Sequence, residues 1–397
     1  MNRSEPRSTF SGPLLADRTS CTGCSACQAV CPKTAISMRP DAEGFLRPQV
    51  DPDRCIGCYR CEQVCPVLHP AVPDASPTCY AAYSKATDLR MQSSSGGLFS
   101  ELARPILAAG GLVFGCVWEK PDFVAVHRGV DTLAGLADLR GAKYVQSDLR
   151  DTFREARRAL EAGRPVLFSG MPCQIAGLHA FLTKPYVSLL TVELICHGGP
   201  SPAVWEIYKQ QAVRLLGPLT DVCLKDKQNS WRRYRVTVRG MNGARSQNYE
   251  DDVYMQAFLK NLCLRPSCYA CPFRSGRSGA DMTLGDFWGI ESVLPKPDDD
   301  RGISAVLIHT ARGMQAWSAC VDNLNAVPVT QDRIVAGNPV YTRSVTCPSG
   351  RRVFMRRYAS EDWSVLLNRA TRLSPVRRIW RSVRVRLGRL LKGGHVS

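Results

Sequence analysis

From residue 79 to about 345 the chain alternates short apolar runs with stretches of helical periodicity. "CYAAYS" (79–84) and "LVFGCVW" (112–118) predict strands on either side of a helix over "LFSELARPILAAG" (98–110). Leu149, Phe153, Ala156 and Leu160 fall on one helical face, with Ser147 as the expected cap. "PVLFSG" (165–170) and "LLTVELIC" (189–196) are unbroken enough to be buried strands, and Ser201-Pro202 opens a helix after the second. Shorter strands are expected over 221–250, then a strand at "ISAVLIHT" (303–310) and a helix over 311–324. Alternation of this kind predicts a layered α/β body.

Upstream the pattern changes. Residues 21–32 read "CTGCSACQAVCP" and residues 55–66 read "CIGCYRCEQVCP", the only internal repeat in the chain. The Cys-x2-Cys-x2-Cys-x3-Cys-Pro spacing suits 4Fe–4S cubes, with each fourth cysteine serving the opposite cluster. One cube then takes Cys21, Cys24, Cys27 and Cys65, and the other Cys55, Cys58, Cys61 and Cys31. Structural zinc asks instead for two Cys-x2-Cys pairs set well apart. The expected organisation is a disordered N-terminus (1–18), a two-cluster ferredoxin-type module (19–68) and a Pro-rich linker (69–78). A body over 79–160 and 161–345 and a basic tail (346–397) follow.

Composition narrows the setting. Eighteen cysteines in 397 residues, with no apolar signal-peptide core at the start, fit a reducing, cytoplasmic location. The apolar stretches Ile106–Trp118 and Val187–Cys196 are too short or too interrupted to span a bilayer. The net charge is +17, but residues 351–397 hold thirteen Lys/Arg against Glu361 and Asp362 alone. A basic tail is implied, and a nucleic-acid-binding body is not.

Ten further cysteines lie outside the repeat. Cys173 ("SGMPCQIAGL") and Cys196 ("ELICHGGPSP") sit at strand ends, where a layered sheet brings them to one edge with Cys268 and Cys271. Spacing leaves open a third metal centre, half a zinc site, or buried apolar thiols. Cys263 competes for one position, while Cys79, Cys116, Cys223, Cys320 and Cys347 carry no pattern. "SSSGGLFSEL" (93–102) puts glycines before a helix, as a phosphate-binding turn does, although a plain N-cap accounts for it more simply. His197 beside Cys196 reads as structural.

In order, "SSSGGLFSEL", "LRGAKYVQSDL", "SGMPCQIAGL", "ELICHGGPSP" and "CLRPSCYACPFR…GADMTLGDFWGI" resemble the successive motifs of the coenzyme F-420 hydrogenase/dehydrogenase beta-subunit family, over about residues 79–345. The chain also resembles the bacterial members that carry an N-terminal two-cluster ferredoxin module. Ala142 replaces the usual Ser or Thr before Lys143-Tyr144, and Met171 the usual Thr before Pro-Cys-Gln. The resemblance implies an α/β fold: an α+β ferredoxin-like module followed by a layered α/β flavin-binding body. It implies FAD held by Ser95, Gly96, Gly97, Lys143 and Tyr144, and a third 4Fe–4S cluster on Cys173, Cys196, Cys268 and Cys271. Asp281 and "GDFWG" (285–289) would line the same region.

The expected function is an iron–sulfur flavoprotein oxidoreductase. Its clusters pass single electrons between a soluble carrier (ferredoxin or deazaflavin) and a two-electron organic partner at FAD. That partner is a reduced deazaflavin or a glycan or nucleotide-sugar intermediate, small or lipid-linked. The alternative is a non-catalytic subunit relaying electrons to a partner enzyme. In the tail, Val376, Ile379, Trp380, Val383, Leu387, Leu390 and Leu391 share a helical face opposite Arg377, Arg378, Arg381, Arg384 and Arg389. Such a basic amphipathic helix suits the anionic inner surface of a membrane; the alternative is a helix docked on the body or on a partner with its charged face in solvent.

Overall fold

The computed structural model describes residues 12–70, 76–293 and 299–371. Its strands are β1 (Ile36–Pro40), β2 (Leu46–Val50), β3 (Thr78–Ser84), β4 (Leu112–Glu119), β5 (Val124–Val130), β6 (Val166–Gly170) and β7 (Leu189–Leu194). They continue as β8 (Leu219–Asp226), β9 (Arg235–Gly240), β10 (Gly243–Asn248), β11 (Met282–Asp286), β12 (Ser304–Ile308) and β13 (Leu324–Val329). One sheet holds eight of them in the order β13-β3-β12-β11-β7-β6-β4-β5. Its four middle strands, β11, β7, β6 and β4, are parallel, and the flanking pairs are antiparallel. The fold is therefore mixed α/β, as expected, and strands from 79–160 and from 161–345 share that sheet.

Burial on both faces explains the unbroken apolar runs. Val113 and Leu167 point to one layer, with Leu98, Leu102 and Trp317; their neighbours Phe114 and Phe168 point to the other, with Phe153 and Ile175. The second layer also contains Ala26, Ala29 and Val30 of the cysteine-rich module, so the module and the body share a core. Apart from this sheet, β8, β9 and β10 form a separate antiparallel meander, and β1 and β2 a hairpin within the module.

The hairpin turn is the module's second attachment. Ser201 caps the helix Pro202–Leu216 through its Oγ, which also donates to the Glu43 carbonyl. Arg351 forks onto the Glu43 carboxylate at 2.7 and 3.1 Å.

Some expectations change. Ser147 caps no helix: the helix runs Thr152–Glu161, begins after Asp151, and buries Phe153, Ala156 and Leu160. Ser147 instead bonds His127, described below. The expected helix over 311–324 stops at Ser318, and Leu324 already starts β13. Pro328 is tolerated in that strand because β13 is a sheet edge. Residues 12–18, expected to be disordered, lie on the module, where the Leu14 N–H donates to Glu62 and Leu15 packs on the core. Residues 1–11 and the amphipathic stretch 374–394 lie outside the described residues. Among the described residues no helix is long and apolar enough to cross a membrane.

Candidate metal centres and cofactor cavity

Each cysteine repeat folds the same way. Gly23 and Ser25, then Gly57 and Tyr59, take left-handed φ of 55–69°, and a short helix follows, Ala26–Val30 or Arg60–Gln63. The left-handed residues wrap the chain so that successive thiols face one space. Cys21, Cys24, Cys27 and Cys65 line one cavity, and Cys31, Cys55, Cys58 and Cys61 line another. The two differ in setting. Burial pushes the Cys24 thiol up to about 12, whereas Cys58 is exposed. The first quartet thus lies inward against the body and the second toward solvent.

A third quartet assembles from three elements of the body. Cys173 opens the helix Pro172–Leu182 after β6, Cys196 follows β7, and Cys268 and Cys271 belong to the 3-10 turn Pro266–Ala270 and its exit. All four line one cavity, with Thr22, Gln146, Met171, Arg265 and Arg274. The Gly199 N–H donates to Cys268 Sγ at 3.3 Å. Burial raises the Cys173 and Cys268 thiols and takes Cys196 to about 12. Cys263 is not in this group: fully buried, it packs with Tyr254 and Leu262 in another core.

The charge around the third quartet tests what it suits. Arg265 and Arg274 are both more than nine-tenths buried; among the described residues neither forms a salt bridge, and Glu193 acts on Arg274 only from beyond ion-pair distance. Arg274 Nε has no hydrogen-bond acceptor. Buried cations need compensating charge. Four thiolates around a metal–sulfur core supply it, and protonated thiols do not. Among the described residues, no group of three His, Cys, Asp or Glu is placed to hold a single ion.

A larger cavity of about 290 Å³ opens beside the third quartet. Gly170, Leu194 and Gly285, at the C-terminal ends of β6, β7 and β11, form part of its wall, which is where open α/β sheets bind ligands. Ser95, Gly97, Lys143, Tyr144 and Ala142 line it, and Met171 belongs to both cavities. Lys143 Nζ donates to the Asp138 carbonyl at 2.9 Å and to the Arg140 carbonyl, and burial lowers its pKa. Tyr144 stacks on Phe258 at 5.1 Å, and burial raises its phenol well above the ordinary range.

Gly96 does not line this cavity. Its N–H donates to Ser304 Oγ at 3.0 Å, and a Cβ there would stand 2.5 Å from the Ala82 carbonyl oxygen. Close packing on β3 and β12, not approach of a phosphate, is what demands glycine at 96. Ser95 Oγ likewise donates inward, to the Ile303 carbonyl at 2.9 Å. Gly97, at φ 91°, is the residue of the turn whose conformation favours glycine.

Other lining groups have no motif to announce them. His127 Nε2–H donates to the Ser169 carbonyl at 3.0 Å while Nδ1 accepts from Ser147 Oγ at 2.8 Å. Gln174 Nε2 donates to the same hydroxyl at 3.0 Å. Burial lowers the imidazole pKa to about 4, so it is neutral near pH 7 and orients this network. Lys225 pairs with Asp286 against Trp288 and Trp231, and Cys116 faces the same space. Asp281 lies apart, tying Thr191 and Thr310 across the sheet edge.

Comparison with known proteins gives two family matches. Residues 20–68 match the 4Fe–4S dicluster domain. Residues 163–332 match the family described as the C terminus of the coenzyme F-420 hydrogenase/dehydrogenase beta subunit. No curated protein matches the chain. Among solved structures, a chain of the F-420-reducing NiFe hydrogenase complex from Methanosarcina barkeri is 18% identical, with a TM-score of 0.45. That match covers 68% of this chain and 93% of the other. An iron–sulfur redox protein is what the two domain matches describe: residues 163–332 are similar to the C-terminal domain of the coenzyme F-420 hydrogenase/dehydrogenase beta subunit, and residues 20–68 to a 4Fe–4S dicluster domain.

Proposed function

We propose that the protein is an FAD- and iron–sulfur-dependent oxidoreductase that collects single electrons and delivers them in pairs to an organic partner. The observation that carries this reading is the succession of sites. Thr22, between two cysteines of the first quartet, also lines the third cavity, and Met171 lines both the third cavity and the larger one. The solvent-facing second quartet begins the series, as suits exchange with a soluble carrier, ferredoxin or deazaflavin.

Cys173, Cys196, Cys268 and Cys271 would hold the third cluster, and Ser95, Gly97, Lys143 and Tyr144 would hold the flavin. FAD, when bound, exchanges two electrons with its organic partner, here a reduced deazaflavin or a glycan or nucleotide-sugar intermediate. The chain's own part is positioning. Tyr144 and Lys143 are fixed by Phe258 and by backbone carbonyls, and neutral His127 holds Ser147 and Gln174 at the wall. The Lys225–Asp286 pair leaves a charged edge facing the same space.

Heat-denatured protein should release FAD near one per chain. Reduced ferredoxin should bleach the bound flavin in intact protein, and not after Cys268→Ala/Cys271→Ala. Absence of flavin, or equal bleaching in that variant, would reject the reading. A relay role is favoured by the family's description as a subunit. Turnover by the isolated chain separates relay from enzyme.

A further inference from the structure

Arg265 stands between two of the thiol quartets. It is 2% exposed and precedes Cys268 by a single turn of chain. Toward the module, Nε donates to the Cys21 carbonyl at 3.0 Å, and Nη2 donates to the Leu46 carbonyl. The guanidinium lies 5.3 Å over the Phe45 ring, and a Cβ on Gly23 would come within 2.7 Å of it. Toward the body, it lines the cavity of Cys173, Cys196, Cys268 and Cys271, and Nη1 donates to Gln146 Oε1 at 3.2 Å. All these acceptors are neutral. A 4Fe–4S core with four thiolate ligands is anionic in either oxidation state and more so when reduced. A fixed cation in this water-poor setting therefore favours the reduced form.

We propose that Arg265 is the shared counter-charge of the first and third clusters, raising both potentials relative to the solvent-facing second cluster so that electrons entering there are drawn inward to the first and third. This rests on the reading that the third quartet holds a cluster. In the step it serves, one electron leaves the first cluster, oxidising it, and reduces the third. No proton need move, and the electron originates from the soluble one-electron carrier. Arg274 provides the contrast. It donates to the Cys196 and Val340 carbonyls and lines the third cavity, with no hydrogen bond to the module among the described residues.

The test is a redox titration of full-length, anaerobically purified protein, with each cluster followed by electron paramagnetic resonance. Arg265→Met should shift the first and third clusters to lower potential, each by a tenfold change in reduction equilibrium, about 59 mV for one electron. Arg265→Lys should stay near wild type, and Arg274→Met should shift the third cluster alone. Unmoved potentials in Arg265→Met with iron retained would overturn the inference, as would an equal shift in Arg265→Lys. If Arg265→Met does not accumulate folded, Gln146→Glu carries the test, because it gives the guanidinium a carboxylate partner in place. It too should lower both potentials, and no shift overturns the proposal. Wild-type iron of about eight atoms would refute the third cluster and the inference with it. Full iron with unmoved potentials refutes the inference alone.

Discussion

Gly96 and Glu193 show how single residues near the cavity are constrained by the sheet beneath it. With the Ala82 carbonyl 2.5 Å and Ser304 Oγ 2.9 Å from any Cβ, Gly96→Ala forces the backbone apart. It should lower stability by about 1–3 kcal/mol, and Gly97→Ala by about 1 kcal/mol for its left-handed φ. Denaturant unfolding measures both. Wild-type stability in Gly96→Ala with flavin lost would restore the phosphate-turn explanation. Glu193, 1% exposed on β7, has its carboxyl raised by burial from 4.5 to about 7, against donors Ser278 and Thr283. The folded state therefore binds the extra proton between these values. Stability present below pH 4.5 is lost as pH rises toward 7, on the order of 3 kcal/mol in all. Glu193→Gln should flatten that slope in melting temperatures taken from about pH 4.5 to 8; a slope kept in the variant would assign it elsewhere. Neither constraint is visible in sequence. Glycine 96 sits in a run that reads as a phosphate turn, and the carboxylate in an apolar strand has no spacing rule.

At the scale of elements, the helix Pro172–Leu182 links the module to the body. Cys173 begins it, and Gly177 one turn later faces Cys24, where a Cβ would lie 2.8 Å from that residue's own Cβ. Gly177→Val should push the module away. The expected results are slower electron transfer from the second and first clusters to the body, and easier loss of iron near Cys24. Unchanged transfer kinetics would show that this contact does not set the distance. Most elements around it were legible, because β3, β4, β6, β7 and β12 carry the apolar runs of a sheet buried on both faces. The end of the helix after Thr310 was not, since apolar periodicity continues into β13 and only tertiary pairing with β3 decides the boundary. The tail calls for its own experiment. Deleting 374–397 should abolish salt-sensitive sedimentation with anionic vesicles while iron and FAD stay unchanged, each arginine near the surface contributing about 1 kcal/mol. Equal sedimentation with and without the tail would reject that role.

For the molecule as a whole, the repeated cysteine motif is a local signal, and twelve consecutive residues suffice to read it. The third quartet is not local. Cys173, Cys196, Cys268 and Cys271 come together because parallel strands β6 and β7 end at the same sheet edge, and because the turn after Arg265 folds back onto it. Order of motifs pointed there; spacing alone could not. The buried pair Arg265 and Arg274, neither in a salt bridge among the described residues, was likewise invisible until the fold brought both beside the thiols. The central claim is that this edge completes an electron path from the module to a two-electron cofactor, and iron content tests it most directly. Anaerobically purified protein should hold about 12 iron atoms per chain, falling to about eight in Cys268→Ala/Cys271→Ala with the signals of the two module clusters intact. Wild-type iron near eight, or a double variant that keeps all its iron, would contradict the account.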